Sequence, residues 1–300
     1  MAAVRILIDT DIGDDVDDAL AIALALNSAE LEVVGVTTVY QNTRMRAQLA
    51  LQLLQVMGAE HIPVAVGIEQ PIRNRVDSTV IPHQCRNMNA TYPSNCNLHA
   101  VDLIIETLRK DPDTVLVPIG PFTNIAIAAK LAPELIASSR IVAMGGAFGS
   151  VYPEYNIMCD PEAANIVLSS GARVELVGLD VTVQCQLSKE DIDKIYRCRG
   201  SVERYICSLM DIWLHTSISG KVTLHDPLTV AYLADSSLLR MESVPVAVEM
   251  DGGITRGLTA VLRTPFRQRQ SVLKDNALVA REVDARKMRD TLMNRVFNLA

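Results

Sequence analysis

The sequence predicts an α/β protein: an open, mostly parallel, Rossmann-like sheet flanked by helices, with a more helical C-terminal portion. Two observations lead there. Short β-rich runs alternate with segments of helical periodicity through the N-terminal half, and such alternation implies parallel strands joined by right-handed crossovers. The runs are also continuously apolar, as expected of strands covered by helices on both faces.

In chain order, residues 5–9 read as the first strand and residues 17–27 as the helix that follows. Strand 31–39, helix 44–57 and strand 63–66 come next. Residues 69–97 are polar and carry Pro71, Pro82 and Pro93, so they read as a long loop of the kind that covers active sites. Helix 99–110, strand 114–118, helix 122–131, strand 140–144, helix 161–169 and strand 174–179 continue the alternation. Residues 188–235 turn helical, and Met210, Trp213 and Leu214 share one face of segment 201–217, where Trp213 is expected to fill core. Two β-rich runs within 244–260 flank Asp251-Gly252-Gly253, a hairpin-type turn. Residues 281–300 place Met288, Leu292 and Val296 at i, i+4, i+8, which predicts a docked amphipathic helix. No linker divides the chain, so residues 1–300 are expected to form a single domain.

Composition narrows the function classes. The chain is 49% hydrophobic and 21% charged, an ordinary globular profile. A net charge of −7 argues against a nucleic-acid or acidic-membrane partner. The longest apolar run, residues 19–26, is far short of a bilayer span, and the N-terminus lacks the pattern of a secretory signal. Cys85, Cys96, Cys159, Cys185, Cys198 and Cys207 form no C-x-x-C pair, so they read as reduced packing residues in a cytoplasmic protein.

The chemistry concentrates at the end of the first strand. Asp9, Asp11, Asp14, Asp15, Asp17 and Asp18 fall within ten residues. Carboxylates this close repel one another, and burying an uncompensated charge is costly. Ligands of open α/β sheets bind at the carboxyl ends of strands, and a hard divalent cation held by oxygens makes such a cluster tolerable there. A helix cap would need one or two of these residues, not six. The run is not an EF-hand, because Gly13 falls one place early and Leu20 stands where the bidentate Glu belongs. Further metal ligands must therefore come from elsewhere in the chain.

D-T-D-x-G followed by D-D-A-x-A after an N-terminal strand resembles the inosine–uridine-preferring nucleoside hydrolase family. Further matching segments follow in the family's order. They are Gly120-Pro121-Phe122-Thr123-Asn124, Met144-Gly145-Gly146, Glu154-Tyr155-Asn156, Asp160-Pro161-Glu162-Ala163-Ala164, His225-Asp226-Pro227 and Thr255-Arg256-Gly257. The resemblance implies an open α/β fold and Ca²⁺ at the strand ends. It implies hydrolysis of the N-glycosidic bond of ribonucleosides to ribose and free base, and assembly as a homodimer or homotetramer. Asp11 matches the aspartate that binds the metal and activates a calcium-held water. Asp18 matches the bidentate metal ligand, Thr123 a backbone-carbonyl ligand and Asp226 a further carboxylate. Asp17, Glu154, Asn156 and Asn42 match ribose contacts, and His225 matches the histidine that protonates the leaving base. An unperturbed histidine titrates near neutrality, which suits that role.

The chain also departs from the family pattern. Two extra residues separate Gly13 from Asp17-Asp18. Counting from Gly13 points to Asp14-Asp15 as the metal pair, while direct continuation into Ala19-Leu20-Ala21 points to Asp17-Asp18, the pair taken here. Residues 147–153 offer no asparagine for the ribose 5′-hydroxyl, and the family's histidine–glycine motif is not recognisable around His83. Base preference stays open, and His83 and His99 are expected to be structural. Two other readings compete. A non-catalytic nucleoside or ribose sensor would share the scaffold. A Mg²⁺-dependent phosphohydrolase of the haloacid-dehalogenase type also has a strand ending in D-x-D, but continues with a Thr-rich turn where this chain has Gly13 and immediate acids.

Overall fold

A computed structural model of the chain describes residues 2–86, 88, 91–262 and 274–299. Residues 87, 89 and 90 of the expected 69–97 loop, and Ala300 of the expected last helix, lie outside the described residues. The strands are β1 (Val4–Thr10), β2 (Leu31–Thr38), β3 (Val64–Ala65), β4 (Val115–Pro118), β5 (Arg140–Met144), β6 (Arg173–Val177), β7 (Leu239–Val244), β8 (Val246–Val248), β9 (Thr259–Val261) and β10 (Ala277–Val283). The helices are α1 (Asp17–Leu26), α2 (Thr43–Val56), α3 (Ala100–Lys110), α4 (Thr123–Leu131), α5 (Pro133–Ala137), α6 (Tyr155–Cys159), α7 (Pro161–Leu168), α8 (Leu179–Thr182), α9 (Lys189–Ile195), α10 (Ser201–Thr216), α11 (His225–Ala234) and α12 (Ala285–Phe297).

Eight strands form one sheet in the order β3-β2-β1-β4-β5-β6-β10-β7, parallel except for β7, which runs antiparallel to β10 at the edge. The expected open, mostly parallel sheet is what the chain builds. From β1 the chain winds outward to β2 and β3, then crosses to the other side of β1 at β4. The carboxyl ends of β1 and β4 therefore flank a topological switch point, the crevice where such sheets bind ligands.

Side-chain alternation explains the continuous apolar runs. Ile6 and Ile8 of β1 pack into the core layer that holds α1, α11 and α12, while Leu7 packs into the layer that holds α3, α4 and α7. Residues on both faces are buried, so period-two patterning disappears. Helix α1 lies against α11, β2 and α12, and every residue from Asp17 to Ala25 is buried. Ala19, Ala21, Ala23 and Ala25 give it the small surface that close packing on several sides requires.

The C-terminal third departs from expectation. Strands β7 and β10 were not predicted, and Arg281–Val283, assigned by periodicity to the last helix, belong to β10. Their polar residues are satisfied across the antiparallel edge, Arg281 pairing with Glu242 and Arg240 with Glu282. Charge on an edge strand also discourages pairing with another sheet. Strands β8 and β9 pair antiparallel as expected, joined by residues 249–258, a longer connection that contains the expected Asp251-Gly252-Gly253 turn. Among the described residues no helix is long and apolar enough to cross a membrane, and all six cysteines are free thiols.

Candidate active site

Strand β1 ends at Thr10, and the acidic loop begins there. Its carboxylates have separate partners. Asp9, wholly buried, accepts from Thr37 Oγ1 at 2.6 Å and from Asn124 Nδ2 at 2.8 Å, and burial raises its pKa to about 7. Asp14 pairs with Arg46 Nη2 at 3.0 Å and accepts from the His83 backbone N–H at 3.2 Å. Asp15 Oδ1 accepts from the backbone N–H groups of Val16 (2.6 Å) and Asp17 (3.3 Å), closing the turn before α1. The extra residues after Gly13 thus serve as a dock for the 3₁₀ turn His83–Cys85. Gln84 donates its backbone N–H to Gly13 O and its side chain to Asp15 O. Gly13 (φ +132°) sits where a Cβ would lie 2.7 Å from Pro82, so glycine is needed at this contact.

Asp17 and Asp18 open α1, and Asp226 lies in the first turn of α11. Because α1 and α11 pack together, the three carboxylates converge. Each offers an oxygen within 4.8 Å of the others', and all three are buried. Thr10 Oγ1 donates to Asp18, and the Asp226 N–H reaches Asp17 Oδ2 at 3.4 Å. Burial first, then the charge of neighbouring aspartates, pushes all three pKa values well above the carboxylate range. Three buried carboxylates with only neutral donors form a hard-oxygen set suited to a divalent cation such as Ca²⁺ or Mg²⁺. Of the two candidate pairs, Asp17-Asp18 joins this cluster, whereas Asp14-Asp15 are occupied by Arg46, His83 and the turn.

The cluster forms one wall of a cavity of about 700 Å³, which Asp11, Glu154, Asn156 and His225 also line. Asp11 is raised to about 6 by burial, with the Arg46 charge opposing the rise. Gly120 at the end of β4 makes room for it, since a Cβ there would lie 2.8 Å from Asp11 N and Oδ1. Glu154 caps α6 by accepting from the N–H groups of Asn156 (2.7 Å) and Ile157 (3.0 Å), and it also accepts from Gly146 N–H (3.1 Å). Burial raises it to about 7. Asn156 spends its amide N–H groups on the carbonyls of Ile119 (2.9 Å) and Met144 (3.3 Å), so Oδ1 is the atom it offers a ligand.

His225 Nδ1 lies 2.8 Å from Thr182 Oγ1. Burial lowers its pKa to about 4, so the ring is neutral at pH 7. The expectation of a near-neutral pKa is corrected here. The side chain sits in a pocket that disfavours its charged form.

Two expected site residues do not line the cavity. Asn42 caps α2 by accepting from Met45 N–H at 3.2 Å, while its neighbour Gln41 lines the cavity instead. Thr123 is buried at the start of α4, its hydroxyl donating to Asp160 Oδ2 at 2.7 Å. Neither Thr123 nor Asp226 is a helix cap: Phe122 and Leu224 occupy those positions. His99 does cap α3, accepting from Val101 N–H, whereas His83 lines the cavity. Trp213 also lines it, besides packing on the core, with its indole N–H donated to Lys221 O.

The remaining motifs are braces. Asp160 accepts from Thr123, Ile72 N–H and Ala163 N–H. Arg256 forms a two-pronged pair with Glu162 on α7 (2.9 and 2.6 Å). Gly257 (φ +86°) abuts α6, where a Cβ would lie 2.8 Å from Met158 Cα.

Comparison with known proteins agrees with this geometry. The chain is 36% identical over 275 residues to a probable uridine nucleosidase of Arabidopsis thaliana, covering 85% of this chain and 84% of the relative. It is 33% identical over 284 residues to the inosine-uridine preferring nucleoside hydrolase of Crithidia fasciculata, covering 87% and 89%. Among solved structures, a plant nucleoside hydrolase, PpNRh1, superposes with a TM-score of 0.88 at 28% identity over 98% of each chain. Residues 6–290 match the family described as inosine-uridine preferring nucleoside hydrolase, and the chain belongs to that family.

Proposed function

We propose that this protein is a Ca²⁺-dependent ribonucleoside hydrolase that cleaves the N-glycosidic bond to ribose and free base. One observation carries the reading. In a chain of this family, the Asp17–Asp18–Asp226 cluster, Asp11 and His225 all face one cavity of nucleoside size. Asp18 and Asp226 belong both to the ligand set the resemblance implies and to the converging trio. They would hold the cation, with Asp17 beside them; the Thr123 carbonyl, a donor the resemblance implies, belongs to a residue outside the cavity lining. Bound there, Ca²⁺ supplies a hard, doubly charged seat for oxygen ligands in place of the protons the carboxylates otherwise retain.

The chain's own residues do the rest. Breaking the bond from the ribose C1′ to the base leaves positive charge on the sugar ring, which the anionic wall stabilises. Asp11, with a pKa of about 6, is ionised at neutral pH and can take the proton of the attacking water. Glu154 and Asn156, both held by backbone partners, line the same cavity and would grip the sugar. The departing base accumulates negative charge. A neutral His225 ring whose Nδ1 accepts from Thr182 Oγ1 would carry its proton on Nε2 and offer that N–H to the base. The similar proteins differ in the base their names specify, uridine in one and inosine or uridine in another, so the base remains the variable to be measured. The six free cysteines support a reducing, cytoplasmic setting. A homodimer or homotetramer, as the family suggests, can be checked by light scattering.

The phosphohydrolase alternative falls with the family match over residues 6–290. Chelation should abolish ribose release across a nucleoside panel, and Ca²⁺ add-back should restore it. Saturable nucleoside binding with no ribose from any substrate would establish the sensor instead. Asp11→Asn should lower kcat by about 10²–10⁴-fold with the circular dichroism spectrum unchanged, and wild-type turnover would remove Asp11 from the mechanism. His225→Ala should slow nucleosides with poor leaving groups most, so an equal loss for all bases would count against its contact with the base.

The raised carboxylates also set a pH dependence. A carboxyl whose folded pKa lies above its unfolded value binds more protons in the folded state, so stability falls as pH rises between the two values. For Asp9, Asp11 and Asp15, raised from 3.8 to about 7, 6 and 7, that window runs from about pH 4 to pH 7. The melting temperature of chelated protein should therefore fall from pH 5 to pH 7, and Ca²⁺ should remove the fall. A chelated protein that grows more stable over this range would contradict the raised values.

A further inference from the structure

Arg46, in the first turns of α2, is fully buried, and nothing in its sequence context marks it as more than a polar helix residue. Its five N–H groups meet five acceptors. Nη1 donates to the carbonyls of Asp11 and Ile12, Nε to Tyr40 O at 2.9 Å, and Nη2 to Asp14 Oδ2 at 3.0 Å and Gln41 Oε1 at 3.4 Å. The acceptors belong to two loops that leave neighbouring strands, the acidic loop after β1 and the turn after β2.

That second turn is unusual. Tyr40 and Gln41 are consecutive non-glycine residues in the left-handed region, with φ of 69° and 55°. Their N–H groups reach Ile68 O and Glu69 O, both at 2.8 Å, and among the described residues Arg46 alone hydrogen-bonds the turn to the acidic loop, through Tyr40 O and the Gln41 side chain. Such a conformation persists only where the surroundings over-determine it, and such positions cluster at functional sites. Both loops end in groups that face the same cavity, Asp11 from one and Gln41 from the other.

We propose that Arg46 is a positioning residue for the hydrolytic reaction. It clamps the acidic loop to the left-handed Tyr40–Gln41 turn, so that the Asp11 carboxylate and the Gln41 amide meet the sugar from fixed directions. This rests on the hydrolase reading and deepens it. The planar fork matters as much as the charge. A lysine ammonium has three donors radiating from one point and cannot span carbonyls of two loops as the guanidinium does.

The test compares wild type with Arg46→Lys and Arg46→Met. It measures kcat and KM for ribose release, melting temperature, and crystal structures of the turn. A folded Arg46→Lys should lose kcat by about 10²-fold, the scale of an ångström-level misplacement, with KM changed far less. In Arg46→Met the Tyr40–Gln41 turn should leave the left-handed region. A merely structural arginine would lower the melting temperature while folded variants kept kcat within about twofold of wild type, which overturns the proposal. Should wild type release no ribose from any nucleoside, the functional reading fails separately. The crystal structure then decides: a left-handed turn retained without the guanidinium refutes the clamp. If Arg46→Met does not fold, Arg46→Lys, which keeps the charge, provides both measurements.

Discussion

The structure depends on one electrostatic constraint: carboxylates crowded into a buried corner cannot all be ionised without a cation among them. Asp11, Asp14, Asp15, Asp17, Asp18 and Asp226 line the same cavity, and the buried Arg46 guanidinium forms a direct ion pair with Asp14 while its charge only partly offsets the burial of Asp11 and Asp18. Desolvation and mutual repulsion push the innermost groups toward the protonated state. A divalent ion held by Asp17, Asp18 and Asp226 would reverse that preference. The corner is therefore both the least comfortable part of the fold and the part best able to seize a cation.

Topology concentrates these charges. The switch in winding direction at β1 opens a crevice, and α1 follows the loop that leaves β1 there. The remaining carboxylate arrives from more than two hundred residues away because α11 packs on the alanine-rich surface of α1. Glycines at both strand ends clear space: Gly120 leaves room for Asp11, and Gly13 admits Pro82 against the acidic loop.

Much of this was legible in the sequence. The alternation of apolar runs and helical periods located β1 to β6, α1 to α4 and α7 to within a few residues, because strands buried on both faces carry an unmistakable pattern. Asp11, Asp17, Asp18, Glu154, Asn156, His225 and Asp226 do share one cavity. What escaped was set by tertiary contact. β7 and β10 form a charged antiparallel edge whose residues satisfy one another only when paired. Gln41 and not Asn42 faces the cavity because the turn is left-handed, and no single-sequence signal marks two such residues in a row. The departure of His225 from its ordinary titration was equally invisible, since it follows from burial against distant elements. The burial of Arg46 could have been suspected only from the excess of negative charge it faces.

The Arg256–Glu162 pair and Gly257 bear on how this scaffold can be altered. Together they seat residues 249–258 on α6 and α7, and α6 is the short helix that begins beside Glu154 and carries Asn156. The outlying hairpin thus works as a buttress for the cavity wall that Glu154 and Asn156 form. A segment grafted there from a relative would have to keep a guanidinium and a side-chain-free backbone at these two positions. Without them, α6 would lose its outer support although none of its own residues had been touched.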